Sequence, residues 1–103
     1  MRQVIERKIY DTDTAEEISS TGYGTPGDFE NFNETLYRTK KGNWFTAGGG
    51  GAKTKYQVQV SNNSWGGSDN IFVLTSDEAM RWLEDANETE ALEKFFKGKL
   101  EDA

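Results

Sequence analysis

The stretch that most restricts the fold is Glu34-Thr35-Leu36-Tyr37-Arg38-Thr39, then Lys40-Lys41-Gly42-Asn43, then Trp44-Phe45-Thr46-Ala47. Two runs rich in aromatic and β-branched side chains flank a short polar connection containing glycine, the residue that takes positive φ without steric cost. This predicts a β-hairpin. A hairpin is not stable in water by itself, so the remaining chain must supply further strands or helices to cover it.

The candidates for that cover are readable in both directions. Val4 to Tyr10 mixes β-branched residues with charges and reads as an edge strand, or as a very short hairpin turning at Glu6-Arg7. Asp13-Thr14-Ala15-Glu16 has the form of a capping box and predicts a short helix to about Ser19. Gly22, Gly24, Pro26 and Gly27 require a turn, and Asp28 to Phe32 suits one helical turn. Beyond the hairpin, Thr54 to Val60 alternates polar and apolar residues, as a strand with one wet face does. Ser61 to Asn70 reads as a polar loop holding Trp65. Ile71-Phe72-Val73-Leu74 is apolar throughout and predicts a central strand.

Two helices are expected at the end. Thr75-Ser76-Asp77-Glu78 is a capping box opening a helix to Ala86, with Ala79, Trp82, Leu83 and Ala86 on one face. Asn87-Glu88-Thr89-Glu90 repeats the pattern, and the second helix turns Ala91, Leu92, Phe95 and Phe96 inward. Its Glu90/Lys94 and Glu93/Lys97 pairs face outward at the favourable spacing. Gly98 is the expected stop. The predicted architecture is α+β: a single domain over residues 1–103, with a small, mostly antiparallel sheet, a short N-terminal helix, and C-terminal helices packed on one face.

Composition narrows the chemistry. The 103 residues include no cysteine and no histidine, which removes disulfides, thiolate metal sites, a cysteine nucleophile and the commonest general base near neutral pH. Adjacent acids such as Glu16-Glu17 and Asp77-Glu78 point in different directions on a helix and do not form a catalytic pair. Asp11-Thr12-Asp13 is only a fragment of a calcium loop. The glycine run Ala47 to Thr54 ends in Lys-Thr, as a phosphate loop does. Alanine, however, stands both at its first position and directly before the lysine, and a strand follows where a helix is required. The run reads instead as a connection where two backbones approach closely. No catalytic residue, metal site or cofactor is assigned, and an enzyme is not expected.

Charge is distributed in blocks. Asp11, Asp13, Glu16, Glu17, Asp28, Glu30 and Glu34 follow one another without a lysine or arginine between them, whereas residues 35–75 carry Arg38, Lys40, Lys41, Lys53 and Lys55 against Asp69 alone. The C-terminal part is acidic again, and the net charge is −6. Basic residues interleaved with Tyr37, Trp44, Phe45 and Tyr56 resemble a platform for single-stranded nucleic acid, but the overall charge opposes a phosphate backbone. Carboxylates along one face suit the opposite role, occupying the basic channel of a nucleic-acid-binding protein with charge-assisted bonds and steered association. The acids at 11–34 and 77–93 are the candidates, and the expected partner is a protein, not nucleic acid or a membrane. The N-terminus is charged where a signal peptide would be apolar, so a cytosolic location is expected.

Several motifs carry a resemblance. Lys8-Ile9-Tyr10-Asp11-Thr12-Asp13-Thr14-Ala15, the stretch Glu34 to Phe45, a glycine cluster followed by Lys-Tyr, Asn63-Ser64-Trp65-Gly66-Gly67, and Leu74-Thr75 with Glu78-Ala79 and Trp82-Leu83 look like a family of small proteins encoded by phages and conjugative elements. Some of its members resemble anti-CRISPR proteins. The resemblance spans roughly residues 8–86 and implies an accessory protein that counters host defence by binding a Cas effector in the host cytosol. Thr46-Ala47 stand where the family pattern has a histidine. On this reading the contacts are Asp11, Asp13, Glu16, Glu17, Asp28 and Glu30 from the acidic block, Lys41 and Trp44 from the hairpin tip, and Trp65 from the polar loop. The alternatives are a regulatory protein-interaction module of the same element and a magnesium-dependent nuclease using Asp11, Asp13 or Glu17.

Overall fold

The computed structural model describes residues 1–23, 32–50, 58–61, 64–66 and 68–103. At its centre is the hairpin of β4 (Phe32–Arg38) and β5 (Trp44–Gly50), paired from Phe32↔Gly50 to Arg38↔Trp44. Gly42, at φ 88°, closes the turn, where the Gly42 amide donates to Thr39 O at 2.9 Å and the Asn43 amide to the Thr39 hydroxyl at 3.0 Å. β3 (Glu16–Tyr23) adds beside β4, and β8 (Ser68–Leu74) beside β5, giving the antiparallel order β3-β4-β5-β8. β1 (Arg2–Ile5) and β2 (Lys8–Asp11) make a separate hairpin, and β6 (Val58–Ser61) pairs with β7 (Ser64–Gly66). α1 (Ser76–Asp85) and α2 (Thr89–Phe96) complete an α+β fold.

Strand alternation sorts the central hairpin between two cores. Leu36 and Trp44 point to the helices and pack with Ala79, Leu83, Leu92 and Phe96. Tyr37, Phe45 and Ala47 point the other way, where Tyr10 and Ile5 of the first hairpin cover them with Ile71. Tyr37 stacks on Phe45 at 5.1 Å, and Tyr10 meets the same ring edge-on at 5.4 Å. The order is therefore hairpin, sheet, helices. α1 opens as its sequence predicts, with the Glu78 amide donating to the Thr75 hydroxyl at 3.1 Å and the Thr75 amide to the Glu78 carboxylate at 2.9 Å. Those bonds hold the Glu78 carboxyl below the usual carboxylate range.

Several expectations are corrected. The predicted helix at 13–19 is the start of β3. Asp11, not Asp13, organises the turn: its carboxylate accepts from the Asp13 amide at 2.9 Å and its carbonyl from Ala15 at 3.0 Å. Among the described residues the apolar run 71–74 belongs to an edge strand of the sheet, with Ile71 packed toward the N-terminal hairpin and Leu74 toward the helices. The polar loop at 61–70 contains β7 and the start of β8. Asn87 takes φ 56° and α2 begins without a side-chain cap, so the second capping box does not form. Gly98 lies in a 3-10 turn, Lys97–Lys99, after α2 has ended. Of the strand expected at 54–60, residues 54–57 lie outside the described residues, as does the helical turn expected from Asp28, apart from Phe32 in β4.

The glycine run is strand, not phosphate loop, as far as Gly50. Its close backbone approach is physical at Gly48, where a Cβ would lie 2.1 Å from Asn33 O and 2.8 Å from Glu34 Cα. The Gly49 amide also donates to the Asn33 side chain at 3.2 Å.

Candidate interaction surfaces

The acids that follow one another in sequence do not make one patch. Asp11 is partly buried, engaged by the Asp13 amide and 4.0 Å from the Arg2 guanidinium. Asp13 is exposed in the turn. Glu17 lies opposite Tyr37, and burial, then Glu17, then Asp13 push the Tyr37 phenol above its ordinary value. Glu16 serves the helix side, 3.8 Å from Lys94 Nζ. Glu34 is 3% exposed and its carboxyl accepts from Trp82 Nε1 at 2.7 Å, so it is a strut between β4 and α1 and not a surface charge. Asp28 and Glu30 lie outside the described residues.

Trp44 is corrected as a contact. It is 4% exposed, stacked on Phe96 at 5.4 Å and edge-on to Phe95 at 5.3 Å, with the Arg38 guanidinium 5.7 Å above its ring. A side chain held on every side by core and cation cannot be offered to a partner. Lys41 does stand exposed at the turn. Trp65 occupies β7, and its side chain lies outside the described residues. Thr46 and Ala47, where the resemblance implied a histidine, are both buried.

Tertiary structure does assemble a different acidic surface. Glu16 on β3 comes together with Glu88 and Glu90 at the start of α2 around a shallow groove of about 220 Å³ that also holds Lys94; Glu17 borders it, with its side chain on the Tyr37 face of the sheet. The two acidic blocks of the sequence thus meet at the seam between sheet edge and helix. Further along the helices, Asp77, Glu84, Asp85 and Glu93 are exposed, while one of the neighbouring cations, Lys99, is drawn to Asp77 at 3.6 Å. Among the described residues no group of three acids is gathered closely enough to hold a metal ion.

At the opposite end of β2 lies a surface of the other sign. Arg7 and Lys8, at the turn of the first hairpin, face Lys40 and Lys41, at the turn of the second, across a groove of about 440 Å³. None of the four has an ion-pair partner among the described residues. The two pairs are more than thirty residues apart in the chain, with the acids from Asp11 to Glu34 between them. Each is a dibasic step in a turn, which is the signal available, but only packing of one hairpin on the other brings the turns together.

Fold and surface define an α+β domain with an acidic seam between sheet edge and helix and a basic groove between two turns. Comparison with protein-family models, with curated proteins and with solved structures finds no match to the chain. No helix among the described residues is long and apolar enough to cross a membrane.

Proposed function

We propose that this is an anti-defence protein of a phage or mobile element, acting in the host cytosol by binding a CRISPR effector and covering its nucleic-acid-binding surface. The observation that supports this reading is the seam at Glu16, Glu88 and Glu90, bordered by Glu17, where acids from two distant parts of the chain meet at one groove. Such a surface is complementary to a channel lined by Lys and Arg. It would gain charge-assisted hydrogen bonds there and accelerate encounter. The mechanism needs no reaction, only occupation of the channel.

The test is interference with transformation by a targeted plasmid in cells carrying an active CRISPR system. Expression of the chain should restore transformation, and replacing Glu16, Glu17 and Glu90 together by lysine should abolish the effect. Reversal of Glu101 and Asp102, exposed in the tail and outside the residues that line the seam, should leave it intact. Unchanged immunity across the main effector types, with the protein folded and abundant, would remove the proposal.

A further inference from the structure

The basic groove has a property that charge counting does not reveal. Four consecutive residues of β2, from Lys8 to Asp11, all line it. Successive side chains of a strand point to opposite faces, so a strand contributes four residues in a row to one groove only by turning its edge toward it. Among the described residues β2 pairs with β1 alone, on one side.

The hydrogen-bonding state of that edge follows from the register. Glu6 and Arg7, at φ 50° and 68°, form a two-residue turn of the mirror-image type, which makes Ile5↔Lys8 the first bonded pair. Bonded and non-bonded pairs alternate along an antiparallel ladder, so at Val4↔Ile9 the amide and carbonyl of Ile9 point away from β1 and into the groove. The next outward position, Asp11, shows the same geometry directly: its carbonyl accepts from Thr14 at 3.3 Å and Ala15 at 3.0 Å. Ile9 has no such partner among the described residues, and its side chain is 55% exposed. The groove therefore combines an open strand edge, an exposed apolar side chain and two basic rails.

We propose that the outer edge of β2 docks an extended acidic segment of a partner protein, which adds as a strand at Ile9 and sets its carboxylates against Arg7, Lys8, Lys40 and Lys41. Strand addition supplies main-chain bonds, and flanking charges select the sequence that binds. The one acid lining the groove, Asp11, is already engaged by the Asp13 amide and Arg2, so it does not neutralise the rails. Single-stranded nucleic acid fits less well. Its binding sites provide aromatic faces for base stacking, and the only ring among the described groove residues, Tyr10, is buried against Phe45. This site stands apart from the acidic seam, so restored or unchanged plasmid transformation does not decide it.

Titration of the whole protein with a synthetic peptide of alternating glutamate and valine, followed by amide resonances, tests the assignment, with an oligothymidine of similar charge as the second probe. The expected result is a peptide-induced shift at the Ile9 amide, weakening with salt, and a loss of about tenfold in affinity on Lys40→Glu with Lys41→Glu. Ile9→Pro removes the outward amide without touching the β1 ladder and should abolish peptide binding. Where that variant unfolds the hairpin, the lysine reversals and the Ile9 shift decide. Peptide binding that ignores the charge reversals, a tighter complex with oligothymidine, or no shift at Ile9 with either probe would each overturn it.

Discussion

Trp82→Phe isolates the bond that ties the central hairpin to α1. The indole Nε1 donates to the Glu34 carboxyl at 2.7 Å, and Glu34 is 3% exposed, beside a groove that Trp82, Thr21 and Asp85 also line. A hydrogen bond to a carboxylate contributes about 1.5–3 kcal/mol, and the short distance places this one at about 2 kcal/mol. For a domain of this size each kcal/mol lowers the melting temperature by roughly 4–8 °C, which predicts a fall of about 10 °C. Loss of part of the ring confounds the single variant, so the measurement is a double-mutant cycle with Glu34→Gln by urea denaturation. The glutamine carbonyl still accepts from the indole, and Glu34→Gln alone should cost about 1 kcal/mol or less. Trp82→Phe should cost less on the glutamine background than on the glutamate one, with a coupling of at least about 0.5 kcal/mol. Additivity within about 0.3 kcal/mol would refute a charge-assisted bond between the two elements.

Gly48→Ala should destabilise by about 2 kcal/mol or more, because its Cβ meets the backbone of β4, which cannot turn aside as a side chain can; calorimetry checks it. Thr46→Val should raise stability by about 1 kcal/mol, since the Thr46 hydroxyl is fully buried without a hydrogen-bond partner among the described residues and the methyl group occupies the same space. Glu78→Gln should melt below the natural protein at neutral pH and converge with it in acid. The folded carboxyl lies below its ordinary value of 4.5, so its stabilisation is present above that value and is lost as pH falls through the lower, folded one. A gap in melting temperature that persists at pH 2 would contradict the capping role.

Elements with a local cause were legible in the residues. The hairpin around Gly42, the turn at Glu6-Arg7 and the capping box at Thr75 each rest on contacts within a few residues, and all three form. The helix expected from Asp13 failed because the same residues have a competing local solution, the Asp11 turn, and because the free edge of β4 offers Glu16 to Tyr23 a full ladder of partners. Ile71 to Leu74 looked central because the run is apolar throughout, yet Ile71 and Leu74 are apolar for packing on the two cores and not for pairing on both edges.

The surfaces were less legible still. Composition alone determined that thiol and imidazole chemistry are absent and that acids outnumber bases. It could not tell that Glu34 is a buried strut, that Trp44 is core, that Glu16 and Glu88 share a groove, or that Arg7 faces Lys41. Local rules act over a few residues and a period of 2 or 3.6, whereas each of these facts joins positions dozens of residues apart. Which charges meet is decided by sheet order and by what packs on each face, and only the folded chain specifies those.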